Sequence, residues 1–172
     1  MSETRTGAIT LKGNPIDVAG SQLEVGQQAP DFNLQNSSLE DVTLASYANK
    51  TRVIATVPSL DTPVCQEETR SFNERVATLD GVEVLIVSAD LPFAQKRWCG
   101  SEGVENVVAL SAHRSSDFGE SYGVRIVGSA LDRCLARAVF VIDAEGVIRH
   151  VEYVGEIADQ PDFEAVINAV GN

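Results

Sequence analysis

Cysteine is scarce in this chain of 172 residues: Cys65, Cys99 and Cys134 are the only three. An odd number at wide spacing, with no C-x-x-C pair, argues against a disulfide framework and suits a reducing compartment. Histidine is scarcer still. His113 and His150 lie far in sequence from every cysteine, so zinc-ligand spacing is missing and neither metal nor cofactor is expected. No apolar run approaches the roughly 18 residues of a membrane span, and the opening MSETRTGAITLKGN lacks the pattern of a secretory signal. A cytoplasmic protein is expected. Basic residues are outnumbered, thirteen Lys and Arg against twenty-five Asp and Glu. The net charge of -12 repels phosphate backbones and anionic lipid, which argues against nucleic acid or membrane as partners. Repeats, low-complexity tracts and linkers are absent, and 44% hydrophobic residues suffice for a core, so one domain over 1–172 is expected.

What is present is an alternation of short apolar runs and helical periodicity. Ile9 to Val18 places apolar residues on both sides of Lys12-Gly13-Asn14-Pro15, predicting an N-terminal β-hairpin within 1–20, appended to the core. Val53 to Val57 and Val82 to Val87 are nearly continuous in apolar character, as in central strands covered on both faces. Between them Cys65, Thr69, Phe72, Val76 and Leu79 recur at helical spacing, which makes a β-α-β unit with parallel strands. Ala138 to Ile142 and Val147 to Tyr153 flank the turn Asp143-Ala-Glu-Gly146 as an antiparallel pair, and Asp162 to Val170 predicts a closing helix. The fold class is α/β: a mixed central sheet flanked by helices, of the thioredoxin-like kind.

The stretch Pro58-Ser-Leu-Asp-Thr62-Pro63-Val64-Cys65 joins a buried strand to a helix, at the edge where open α/β sheets carry their active sites. Thr62 suits a helix N-cap and Pro63 the first helical position, so Cys65 falls at about the third helical residue. There it faces the positive end of the helix dipole, which favours the reactive thiolate. Glu67 and Glu68 follow at once and oppose this unless they point to solvent, so a nearby cation is needed. Position alone leaves two readings of Cys65 open: a nucleophile, or a small hydrophobe on the buried face of its helix.

The run Val57-Pro58-Ser-Leu-Asp-Thr62-Pro-Val-Cys65 resembles the P-x-x-x-T-x-x-C motif of the peroxiredoxins. Val25 to Leu34 resembles the family's opening strand motif, and Ser88 to Cys99 the corresponding stretch of its thiol peroxidase subfamily. With Ala136-Arg137-Ala138 the resemblance covers nearly the whole chain. It implies that Cys65 is the peroxidatic cysteine, that Thr62 and Arg137 hydrogen-bond the peroxide oxygens and hold the thiolate, and that Pro58 shields the pocket. Cys99 matches the resolving cysteine, which would close an intramolecular Cys65–Cys99 disulfide. The implied activity is antioxidant reduction of hydrogen peroxide and organic hydroperoxides, recycled by a thioredoxin-like dithiol reductant, in a homodimer.

Chemistry agrees with that division, because attack on an O–O bond leaves negative charge on the departing oxygen, which a fixed guanidinium and hydroxyl stabilise. The sulfenic acid formed on Cys65 stays reversible only if a second thiol captures it. Cys99 is expected at the end of a helix from Pro92 to Trp98, where Gly100 gives it a mobile flank. Cys134 has no implied role and is expected to be a bystander. Two other readings compete: a redox sensor whose oxidation changes shape for a partner, and a general disulfide oxidoreductase. The chain offers no interaction tail for the first. Thr62 stands where the first cysteine of a C-x-x-C pair would be needed for the second.

Overall fold

The computed structural model describes residues 2–171, and it opens on an antiparallel hairpin of β1 (Thr4–Leu11) and β2 (Asn14–Ala19). Lys12 and Gly13 turn it with φ of 51° and 80°, the left-handed geometry a two-residue hairpin loop requires. Two short strands, β3 (Leu34–Gln35) and β4 (Asp41–Val42), precede β5 (Thr51–Thr56). Then come α1 (Pro63–Ser71), continued by a wider turn over Phe72–Val76, and β6 (Val82–Ser88). Next follow α2 (Pro92–Glu102), β7 (Val108–Ser111), α3 (Asp117–Ser121) and β8 (Arg125–Val127). The chain closes with β9 (Ala138–Ile142), β10 (Ile148–Tyr153) and α4 (Phe163–Val170).

Seven strands form the central sheet in the order β10-β9-β5-β6-β7-β3-β4. β5, β6 and β7 run parallel and the outer pairings are antiparallel, so the sheet is mixed. Side chains alternate between two apolar layers. Val53, Ala55 and Val57, with Val84, Ile86, Val139 and Val141, face the layer covered by α1, α2 and α4. Ile54, Leu85, Val87, Phe140 and Ile142 face the other, with α3 and the hairpin residues Ile9, Ile16 and Val18. Each Val, Ile or Leu buried in this way contributes about 1.5–3 kcal/mol, and the period of two fixes which residues line which layer.

Three elements differ from their sequence expectation. The stretch 25–33 is not a strand: Gly26 has φ 95° and Pro30 lacks an N–H, so the backbone runs as a loop along β10. It is held there by single bonds, Gly26 N to Ile148 O at 2.8 Å and Ala29 N to Gly146 O at 2.9 Å. α2 runs past Trp98 through Cys99 and Gly100 and stops only at Gly103, whose φ of 67° makes the left-handed cap. The hairpin reaches further than its tip: β2 pairs with β8 in a three-stranded sheet. Thr10 N donates to Gly155 O at 2.8 Å, and Ile157 N to Thr10 O at 2.9 Å.

Candidate active site

Cys65 is the third residue of α1, with Thr62 as an extended N-cap residue and Pro63 first in the helix. The hydroxyl of Thr62 makes no cap bond. It donates instead to Ser59 O at 3.0 Å, across the loop that leaves β5. That loop is anchored by Asp90, beyond the end of β6, which accepts from Ser59 Oγ at 2.7 Å and from Leu60 N at 2.8 Å. The third support is Gln160, whose Nε2 donates to Val64 O at 3.0 Å. The loop into α1 is therefore held by Asp90 and by its own Thr62–Ser59 bond, and the first turn of the helix by Gln160, before any substrate enters, the preorganisation that positional catalysis needs.

Arg137 stands beside the thiol. It is 2% exposed, and its Nη2 donates to Cys65 Sγ at 3.3 Å. Its Nε donates to Ile157 O at 3.0 Å, and its Nη1 to the carboxylate of Glu68. All three edges of the guanidinium are thus engaged, and it is the cation the sequence required. Ile157, through its bond to Thr10, ties the hairpin to this arginine.

Glu67 is exposed, but Glu68 turns inward and is fully buried. It lies three residues after Cys65, on the helical face shared with Thr69 and Phe72, so the periodicity that buried Cys65 buried a carboxylate too. Burial raises its carboxyl and Glu152 adds to the rise, and although Arg137 pulls it down the carboxyl is left at about 7. Asp90 and Gln160 are residues the sequence reading missed, and Glu68 it named only as a charge opposing the thiolate, not as a buried partner of Arg137. Glu68 had a signal, the helical spacing; the other two come from distant loops and had none.

The other positions separate cleanly. All three cysteines are free thiols. Cys99, in α2, packs against the same apolar layer that contains Cys65, whereas Cys134 packs against the opposite layer. Burial raises the pKa of Cys99. Burial also raises that of Cys134, reinforced by Asp90, Asp132 and Cys65. Pro58 is buried in the loop between β5 and Thr62. Among the described residues no group of three metal-binding side chains is assembled, and no helix is long and apolar enough to cross a membrane.

A buried thiol at a helix N-terminus, touching a fixed guanidinium, can attack an electrophile and stabilise charge on the group that leaves. Comparisons with known proteins point the same way. The family model described as Redoxin matches residues 24–167. The chain is 51% identical over 162 residues to a thiol peroxidase of Halalkalibacterium halodurans, covering 94% of this chain and 96% of that one. It is also 51% identical over 164 residues to a thiol peroxidase of Staphylococcus aureus, covering 95% and 98%. Among solved structures, a peroxiredoxin-like protein from Aquifex aeolicus superposes with a TM-score of 0.90 at 46% identity, covering 97% of this chain and 96% of that one.

Proposed function

The chain belongs to the redoxin family and is a thiol-dependent peroxidase of the peroxiredoxin type; from that premise we propose that Cys65 is its nucleophile and Cys99 its resolving thiol. The observation that carries this reading is the contact of Arg137 Nη2 with Cys65 Sγ at 3.3 Å, both groups being buried.

The Cys65 thiolate attacks one peroxide oxygen and the O–O bond breaks, giving a sulfenic acid and, with one proton, water or an alcohol. Arg137 stabilises the charge that collects on the leaving oxygen. Thr62 assists once its hydroxyl turns from Ser59 O to the peroxide, and Pro58 screens the pocket from water. Cys99 then attacks the sulfenic sulfur, expelling water and closing a Cys65–Cys99 disulfide. Burial in intact α2 raises the pKa of Cys99 and disfavours its nucleophilic thiolate, so loosening of the helix favours resolution. A thioredoxin-type dithiol reduces the disulfide and restores both thiols.

The layers support this pairing, since Cys65 and Cys99 share one side of the sheet and Cys134 lies on the other. The same reading takes residues 1–172 as one peroxidase domain acting in the cytoplasm as a homodimer, for which sedimentation is the check of assembly. Steady-state peroxide consumption with a thioredoxin system tests the whole. Wild type should turn over and Cys65→Ser should not; residual turnover in that variant would refute the assignment.

A further inference from the structure

Between the C-terminal ends of β6 and β7, α3 and the turn after β8 lies a cavity of about 380 Å³. Its lining residues include His113, Arg114, Arg125 and Arg133 with Ser115 and Ser116, and none of them is acidic. Acidic residues outnumber basic ones by twenty-five to thirteen in this chain, so a concave surface lined by three arginines runs against its composition.

The cations are held differently. Arg125 pairs with Glu120 at 2.9 Å, and Arg114 with Asp41 at 2.7 Å and Asn33 at 3.0 Å, which fixes both side chains. His113 shares a hydrogen bond with Gln35 at 2.9 Å. The guanidinium of Arg133 has no hydrogen-bond or ion-pair partner among the described residues. Its backbone is unusual as well: φ is 73°, with its N–H bonded to Ile126 O at 2.9 Å. Glycine adopts that conformation without penalty, whereas a side chain there is strained. The turn thus holds an arginine where glycine would fit best, and this exposed, unpaired Arg133 is one of the residues lining the cavity.

We propose that this cavity binds a small oxyanion, a phosphate or a carboxylate, with Arg133 as its principal cation. Planar guanidinium forks match the paired oxygens of both groups. The volume suits a small ligand. The cavity borders the proposed active site through Ala89, which lines it and precedes Asp90, the anchor of Ser59 and Leu60. Two sources share this chemistry: free phosphate, and the carboxylate of an acidic hydroperoxide, the latter resting on the peroxidase reading.

Amide chemical shifts of the full chain, followed by NMR during titration with inorganic phosphate at constant ionic strength, test the site without any turnover. Saturable shifts are expected at Arg114, Ser115, Ser116 and Gly119, weakened at least tenfold by Arg133→Gly, whose φ favours folding, and partly kept by Arg133→Lys. Arg133→Gly should consume hydrogen peroxide at the wild-type rate. Shifts that grow without saturating, or binding equal in wild type and Arg133→Gly, would overturn the proposal. With the site established, KM values for a carboxylate-bearing hydroperoxide and its methyl ester name the source. A lower KM for the acid, lost in Arg133→Gly and on adding phosphate, identifies the substrate's head group; equal KM values identify free phosphate.

Discussion

Glu68 and Arg137 form a buried ion pair at 0% and 2% side-chain exposure, and the same guanidinium that holds Glu68 donates to Cys65. One cation therefore contacts both a buried carboxylate and the thiol proposed as the nucleophile. Removing it leaves the carboxylate buried and unpaired, which costs about 3–5 kcal/mol. Arg137→Ala should lose that much stability in urea unfolding and lower the rate of peroxide reduction by roughly 10²–10³-fold. Adding Glu68→Gln to it should recover much of the stability and none of the rate. A double variant that regains rate would show that Arg137 acts only as a scaffold.

The same pair sets a pH dependence. Burial raises the Glu68 carboxyl from 4.5 to about 7, so between those values the folded chain keeps a proton the unfolded chain has released. Its contribution to stability is complete below about 4.5 and is lost as pH rises through about 7. Subtracting the stability profile of Glu68→Gln from that of wild type isolates this group from the other carboxylates. The difference should change steadily, to the disadvantage of wild type, across that window and level off above it. A flat difference would mean that Arg137 keeps Glu68 ionised throughout.

Much of this arrangement is legible in the sequence, and the reason varies by element. β5 and β6 are visible because strands covered on both faces must be apolar almost without interruption. Cys65 is visible because the Thr62-Pro63 start fixes its place in α1. The end of α2 is misjudged because Gly100 resembles a stop, whereas Gly103 has the left-handed φ that ends the helix. The supports of the active loop, Asp90 and Gln160, are invisible because they meet it from 30 and 96 residues away, and no local pattern encodes such contacts.

Closing a Cys65–Cys99 bond requires Cα atoms within about 7 Å, and the proposed mechanism predicts that local unwinding at the end of α2 or in the first turn of α1 accompanies it. Trp98, the only tryptophan, is 5% exposed and adjoins Cys99. Oxidation with one equivalent of peroxide should shift its emission to the red and speed amide exchange over 98–103 and near Cys65. β5 and β6 should exchange as before. An emission spectrum and exchange pattern identical in both redox states would show that no unwinding accompanies catalysis.

Disulfide mapping of the wild-type chain after one equivalent of hydrogen peroxide tests the proposed pairing of Cys65 with Cys99 most directly. The shared apolar layer of Cys65 and Cys99, and the position of Cys134 in the opposite layer, predict a Cys65–Cys99 peptide as the main product. The same product and near-normal turnover are predicted for Cys134→Ser. A main product that joins Cys134 to either other cysteine, or one in which Cys65 stays unmodified, would contradict the account.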